Sequence, residues 1–227
     1  MAKKKKRRVN KIFKTLFIIL VLVFILYIFP CYILDIRIKN IYIKNNNILT
    51  DKQIIEIANL KDYPNYYKTN TFKIKKDLMN NPYIKDCKVY KGLFNKITID
   101  ITENKILFIR LDTKKIVFEN KKEIDYDKEL LNVPYLINYV PDTKYNILID
   151  KLNKIDKEVL YKVSEIKYDP NKYDEDRFLL YMNDDNYVYV TLTKMNLLNK
   201  YNEAITKVEG KKGTLYLDSG NYFEIRK

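Results

Sequence analysis

The sequence predicts an α+β protein carried on a single N-terminal transmembrane helix, with two folded domains after it. Three observations carry that expectation. Thr15 to Leu34 form a run of twenty residues without a charged side chain, directly behind a basic tail. Between Ile36 and Glu103 the chain reads as an extended stretch, two helix signatures and two alternating strands. From Val133 onward short β-rich segments recur, joined by one more helix and a closing pair of strands. The expected organisation is a tail at 1–14, the span at 15–34, a β-α-α-β-β domain at 35–104 and a second β-rich domain at 105–227.

At 1.5 Å per helical residue the run TLFIILVLVFILYIFPCYIL measures about 30 Å, the thickness of a bilayer's hydrocarbon core. The tail carries Lys3, Lys4, Lys5, Lys6, Arg7 and Arg8, then Lys11 and Lys14, and no acid. A tail that positive stays in the cytoplasm and leaves the bulk of the chain outside. Tyr27 and Tyr32 fall toward the outer end, where amphipathic rings prefer the interface. A cleaved signal peptide shares the basic-then-apolar order. This run is longer than an h-region, and Phe29, Pro30, Cys31 and Tyr32 offer no small-x-small cleavage pattern. Pro30 also fills the place where a lipobox before Cys31 needs a small residue. The expectation is a single-pass protein of the cell membrane, N-terminus inside and C-terminal domains outside.

The formal charge of +14 dissolves on dissection. Eight of the 43 basic residues lie in the tail, and the other 35 face 29 acids. They are interspersed with Asp51, Glu56, Asp77, Asp86 and Glu103, in a chain saturated with the Lys, Asn, Ile and Tyr that AT-rich codons supply. Nucleic-acid binding wants a concentrated basic footprint, so no nucleic-acid partner is expected. Cys31 and Cys87 make no disulfide framework.

The residue types that carry catalysis are scarce. There is no histidine, which removes the commonest general base and metal ligand. The two serines, Ser164 and Ser219, and the four glycines form no nucleophile motif or phosphate loop. Asp174, Glu175 and Asp176 read as a solvated loop, and Asp184 with Asp185 as a hairpin turn. Neither cluster has the glycine and closing glutamate of a calcium loop. No carboxylate pair stands out for glycoside cleavage. The sequence thus points to no enzyme, no cofactor and no metal.

The elements after the span are well marked. Ile36, Ile38, Ile41 and Ile43 form a β-rich stretch. In LTDKQIIEIANL, Thr50 caps a helix, Gln53 completes a capping box, and Leu49 staples to Ile54. FKIKKDLMNN gives a second short helix, with Phe72, Ile74, Leu78 and Met79 apolar, stopped at Asn80, Asn81 and Pro82. Two strands follow, Tyr83 to Tyr90 and Lys96 to Glu103, around a turn at Lys91, Gly92 and Leu93. Ile97, Ile99 and Ile101 alternate with polar residues, as in a sheet with one buried face. Further on come VPYLINYV, the hairpin FLLYMNDDNYVYVTL, and a helix from about Met195 to Val208 with Leu197, Leu198, Tyr201, Ile205 and Val208 apolar. The chain closes on KKGTLYLDSGNYFEIRK.

This order resembles a POTRA domain beside a membrane anchor. NNNILTDKQII is similar to that family's opening segment, and NPYIKDCKVYKGLFNKITIDITENKILF to its closing phrase, in which Asn-Pro precedes two strands ending in an acid. VPYLINYV, the hairpin, the last helix and the closing strands resemble the second outer domain of the bacterial division proteins FtsQ and DivIB. The resemblance implies a non-catalytic divisome protein at the septum. Its partners would be FtsL-like and FtsB/DivIC-like single-pass division proteins, with the septal wall-synthesis machinery reached indirectly. The closing strands offer an edge for another chain, and Thr214, Tyr216, Tyr222, Phe223 and Ile225 are the candidate contact residues. The alternative reading is a membrane-anchored receptor or sensor that binds a peptide or wall fragment outside the cell.

Overall fold

A helix, α1 (Lys11–Val23), runs on through a π-helical turn at Phe24–Ile28, closed by the Phe29 N–H donating to the Phe24 carbonyl. It begins four residues earlier than the uncharged run, because Lys11 and Lys14 are good helix formers and nothing before Thr15 breaks the pattern. Lys11–Ile28 has a mean hydropathy of 2.5 and no buried residue, so it is long and apolar enough to cross a membrane. The computed structural model describes residues 11–29, 35–126 and 132–226. The basic tail residues Lys3 to Arg8 lie outside the described residues, as do Pro30 to Leu34. The described chain divides into two units that meet in sequence after Glu103.

The first unit carries β1 (Asn40–Lys44), α2 (Asp51–Ile57), α3 (Thr71–Met79), β2 (Ile84–Gly92) and β3 (Lys96–Glu103). Its sheet has the order β1-β3-β2, with β1 parallel and β2 antiparallel to β3. The capping box at α2 is complete. Thr50 Oγ1 accepts from the Gln53 N–H at 3.3 Å, and Gln53 Oε1 accepts from the Thr50 N–H at 2.8 Å. Asn70 caps α3 by accepting from the Phe72 and Lys73 N–H groups. Ile54, Ile74, Leu78, Ile97 and Ile99 close the core between helices and sheet. Glu103, the acid that ends the family's closing phrase, has a structural job here. Its carboxylate accepts the N–H groups of Asn47, Ile48 and Leu49 at 2.9–3.0 Å, which pins the end of β3 to the turn before α2. Phe72 does not join the apolar face expected of it. It sits one position into α3 and is 79% exposed. The β2 strand runs two residues further than its sequence pattern, so the turn falls at Leu93 to Asn95.

The second unit is one nine-stranded sheet with helices sharing its core. In chain order its strands are β4 (Ile106–Arg110), β5 (Lys115–Phe118), β6 (Glu123–Asp125), β7 (Tyr135–Leu136), β8 (Val163–Tyr168), β9 (Arg177–Met182), β10 (Tyr187–Thr191), β11 (Gly213–Tyr216) and β12 (Tyr222–Ile225). In space the order is β12-β11-β10-β9-β8-β7-β4-β5-β6. The pairs β4–β7, β7–β8 and β10–β11 are parallel and the rest antiparallel. The helices are α4 (Asp142–Asn153), α5 (Lys157–Leu160) and α6 (Tyr201–Lys207), the last entered through a 3-10 turn at Met195–Lys200. The single helix expected over 195–208 is thus two segments. Leu198 and Tyr201 are buried on both sides of the change in pitch. The helix α4 was not expected, although Tyr145, Leu148, Ile149 and Leu152 have helical spacing. Its C-terminus is capped by Lys105, whose Nζ donates to the Leu152 and Asn153 carbonyls at 3.2 Å and also to that of Ile155. Burial lowers the pKa of that amine.

Candidate partner-binding edge

Among the described residues the sheet has two edges, β6 and β12, and the candidate residues lie at the β12 edge. β12 pairs with β11 on one side, from Gly213↔Ile225 to Tyr216↔Tyr222. It has no further strand beyond it among the described residues. Arg226 N–H donates inward to the Lys212 carbonyl at 2.9 Å. Antiparallel alternation puts Glu224 and Tyr222 in the same inward set, so the N–H and C=O groups of Phe223 and Ile225 point outward.

The strand lies this close to β11 because residue 213 is glycine. A Cβ there would stand 2.0 Å from the Glu224 carbonyl oxygen and 2.8 Å from the Phe223 ring. The Gly213 N–H, which faces away from β12, donates to Asn186 Oδ1 at 2.8 Å. Asn186 is itself buried in the β9–β10 turn. A second tie joins the same turn to α6. The buried Tyr201 hydroxyl donates to the Asp184 carboxylate at 2.8 and 2.9 Å. Burial, followed by that hydrogen bond, raises the Tyr201 pKa well above its ordinary value.

The five candidate residues divide between the two faces of the hairpin. Register places Phe223 and Ile225 with Leu215 on the core side, and Tyr222 with Thr214 and Tyr216 on the other. Phe223 is half-buried against the core and borders an open groove of about 440 Å³. Leu197, Ala204, Val208, Leu215 and Leu217 form the apolar part of that groove, so it runs between α6 and the closing hairpin. Ile225 is 49% exposed further along β12.

On the opposite face three rings stack across three strands. Tyr189 and Tyr216 have centroids 5.4 Å apart, and Tyr216 and Tyr222 4.7 Å apart with planes 14° from parallel. Direct cross-strand register puts each ring over the next. The Arg177 guanidinium lies 3.7 Å from the Tyr189 ring centroid and starts the row. It is held there by Asp218 at 2.9 Å and Asp169 at 3.1 Å. Tyr216 donates to Glu224 at 3.1 Å, and burial with that bond raises its pKa.

Arg177, Asp184, Asn186, Gly213 and Asp218 hold this edge; the sequence reads Asp184 only as part of a hairpin turn and gives the other four no role. The ties from Tyr201 to Asp184, from Gly213 to Asn186 and from Arg177 to Asp218 cross 17 to 41 residues, so local spacing gives no sign of them. Gly213 carried the one available signal, a lone glycine inside a strand pattern, which marks close backbone approach. Among the described residues no cluster of His, Cys, Asp and Glu could hold a metal ion.

These features define a protein with one apolar N-terminal helix, a β-α-α-β-β domain of POTRA type and a second domain whose sheet ends in an open strand. Residues 36–104 match the family described as "POTRA domain, FtsQ-type". Over 226 residues the chain is 28% identical to cell division protein DivIB of Bacillus anthracis, covering 97% of this chain and 85% of that one. It is 28% identical over 185 residues to cell division protein DivIB of Bacillus subtilis (strain 168), covering 79% and 70%. A solved structure of the major extracytoplasmic domain of DivIB from Geobacillus stearothermophilus is similar at 23% identity. It covers 48% of this chain and 96% of that one, with a TM-score of 0.40. The first domain is thus of the FtsQ-type POTRA family, and over most of its length the chain is similar to bacterial cell-division proteins named DivIB.

Proposed function

We propose that this chain is a non-catalytic scaffold of the division machinery, fixed in the cell membrane with its N-terminus inside. Its second domain captures the outer segment of an elongated single-pass partner of the FtsL or FtsB/DivIC type, and so connects it to septal wall synthesis. The observation that carries this reading is the β12 edge, whose Phe223 and Ile225 backbone groups face outward beside an apolar groove. A partner strand added there gains backbone hydrogen bonds from the edge, and one of its apolar side chains enters the groove beside Phe223. The tyrosine row on the other face stiffens the hairpin that presents the edge.

The test is Ile225→Pro in the full chain. Proline is tolerated on an edge strand where its missing N–H faces solvent, so the domain stays folded. The partner loses one backbone bond of about 1 kcal/mol, roughly fivefold in Kd, and the ring adds a clash. The assay is copurification with the DivIC-like and FtsL-like proteins of the same cell, alongside septal localisation of a fluorescent fusion at the N-terminus. Undiminished capture by the folded proline variant would remove the edge from the mechanism. Uniform membrane fluorescence with normal septa would remove the division role and favour the receptor reading.

A further inference from the structure

With Lys11–Ile28 taken as the bilayer anchor, the topology of the first unit points to which end of its sheet faces the membrane. The described helix ends at Phe29, and Ile36 is already part of the fold, its carbonyl accepting from the Tyr66 N–H at 2.7 Å. Seven residues span at most about 25 Å, and the apolar run of the sequence continues to Leu34, two residues before Ile36. From there Ile38 N–H donates to the Pro64 carbonyl and Lys39 N–H to the Asn95 carbonyl. The chain therefore arrives beside the β2–β3 turn. β1 then runs away from the membrane, with β3 parallel to it and β2 returning. The turn at Leu93 to Asn95 thus marks the membrane-facing end of the domain.

That turn carries side chains that neither the fold nor the turn asks for. Leu93 is 79% and Phe94 82% exposed, so neither contributes to the core. Phe94 has φ +59° and Asn95 φ +58°. The left-handed region suits Gly, Asn or Asp and is strained for a bulky aromatic. Asn95 fits that rule and Phe94 breaks it. Lys91 and Lys96 flank the turn in sequence, the Lys39 N–H reaches the Asn95 carbonyl, and Lys91 Nζ donates to the Tyr67 carbonyl at 3.3 Å, while Asp35 is bound to Arg37 at 2.9 Å. The exposed rings of Tyr63 and Tyr67 lie on the adjoining loop, whose Tyr66 hydroxyl donates to the Gly92 carbonyl at 2.8 Å.

We infer that the Leu93–Phe94 tip is a second membrane contact, in which the two side chains enter the lipid interface and the surrounding lysines meet anionic headgroups. An apolar tip ringed by lysine and tyrosine has the composition of an interfacial anchor. A tethered domain gains it without the entropy of finding the surface. The contact limits the tilt of the POTRA domain on its anchor. The proposal rests on Lys11–Ile28 as the bilayer anchor, which flotation of the full chain with lipid checks separately. It is independent of the division role.

The chain has no tryptophan, so Phe94→Trp introduces a single reporter into the full-length protein. The variant is reconstituted into nanodiscs of mixed phosphatidylglycerol and phosphatidylcholine, with plain or brominated acyl chains. A Leu93→Trp chain serves as an independent reporter one residue away. The expected result is blue-shifted emission for both, reduced by about half or more in brominated lipid. Adding Leu93→Asp to the Phe94→Trp chain should return its emission to the solvent-exposed position. Emission unaffected by bromine overturns the proposal in either form. A red, water-quenched signal means a free tip, and a blue one without bromine quenching means that protein covers it, such as a second copy of the chain.

Discussion

Gly213→Ala tests the claim that β12 is held by one close backbone approach. The new methyl would begin 2.0 Å from the Glu224 carbonyl oxygen, whereas ordinary contact starts at 3.4 Å. The obstacle is backbone, so no rotamer change relieves it, and β12 has to move outward by roughly 1.4 Å. A shift of that size breaks most of the hydrogen bonds between the strands. Two or three bonds at about 1 kcal/mol each, with part of the Phe223 burial, give a loss of about 3 kcal/mol. The loss is local, because among the described strands β12 pairs only with β11. The measurement is hydrogen exchange by mass spectrometry on the full chain in detergent, following the segment from Tyr222 to Arg226. About 3 kcal/mol predicts exchange there faster by roughly two orders of magnitude, with the β8–β9 core unchanged. Exchange within about threefold of the parent would refute the reasoning. It would mean that the hairpin has slack at residue 213.

Tyr201→Phe should cost about 2 kcal/mol at neutral pH, because the Asp184 carboxylate loses its buried donor. The raised pKa of Tyr201 means that the folded state holds its proton more tightly than the unfolded state. That stabilisation is complete below the ordinary value of 10.0 and fades as pH rises through the folded value. Denaturation followed at neutral pH and above about pH 10 should therefore show the gap between parent and variant narrowing. A constant gap would put the effect in packing alone. Thr50→Ala removes the α2 cap and should lower stability by about 1 kcal/mol in a melt, with partner capture by the folded chain unchanged. Arg177→Ala leaves Asp169 and Asp218 without their shared partner and takes the cation from the Tyr189 ring. A loss of about 2 kcal/mol is expected in denaturant titration, and an unchanged midpoint would make the row ornamental.

The POTRA domain was legible because its signals are local. Thr50 with Gln53, Asn70 before α3, and the alternating isoleucines of β3 each act within a few residues. The helix α4 is equally local in its signal, with Tyr145, Leu148, Ile149 and Leu152 at i, i+3, i+4 and i+7. The second domain was legible as a succession of strands but not as an order. β7, two residues long, lies between β4 and β8, and the parallel step from β10 to β11 passes through α6. Both depend on long-range pairing that no window of sequence contains. The same limit applies to the edge. Tyr189, Tyr216 and Tyr222 look like products of codon bias until register stacks them. Asp184 looks like a solvated turn residue until Tyr201 reaches it. Phe223 and Ile225 were identifiable as strand residues, while the groove beside Phe223 needed α6 to form its far wall.

On the proposed scaffold role, an open β12 also shapes how the protein behaves when its partner is scarce. Outward N–H and C=O groups beside an apolar groove accept whichever extended chain comes first, including the same strand of a second molecule. Membrane confinement raises the frequency of such meetings, since all copies share one plane. Overproduction of this chain alone should therefore give self-paired species, and coproduction of its partner should disperse them. The balance of supply between the two chains then acts as a control on assembly.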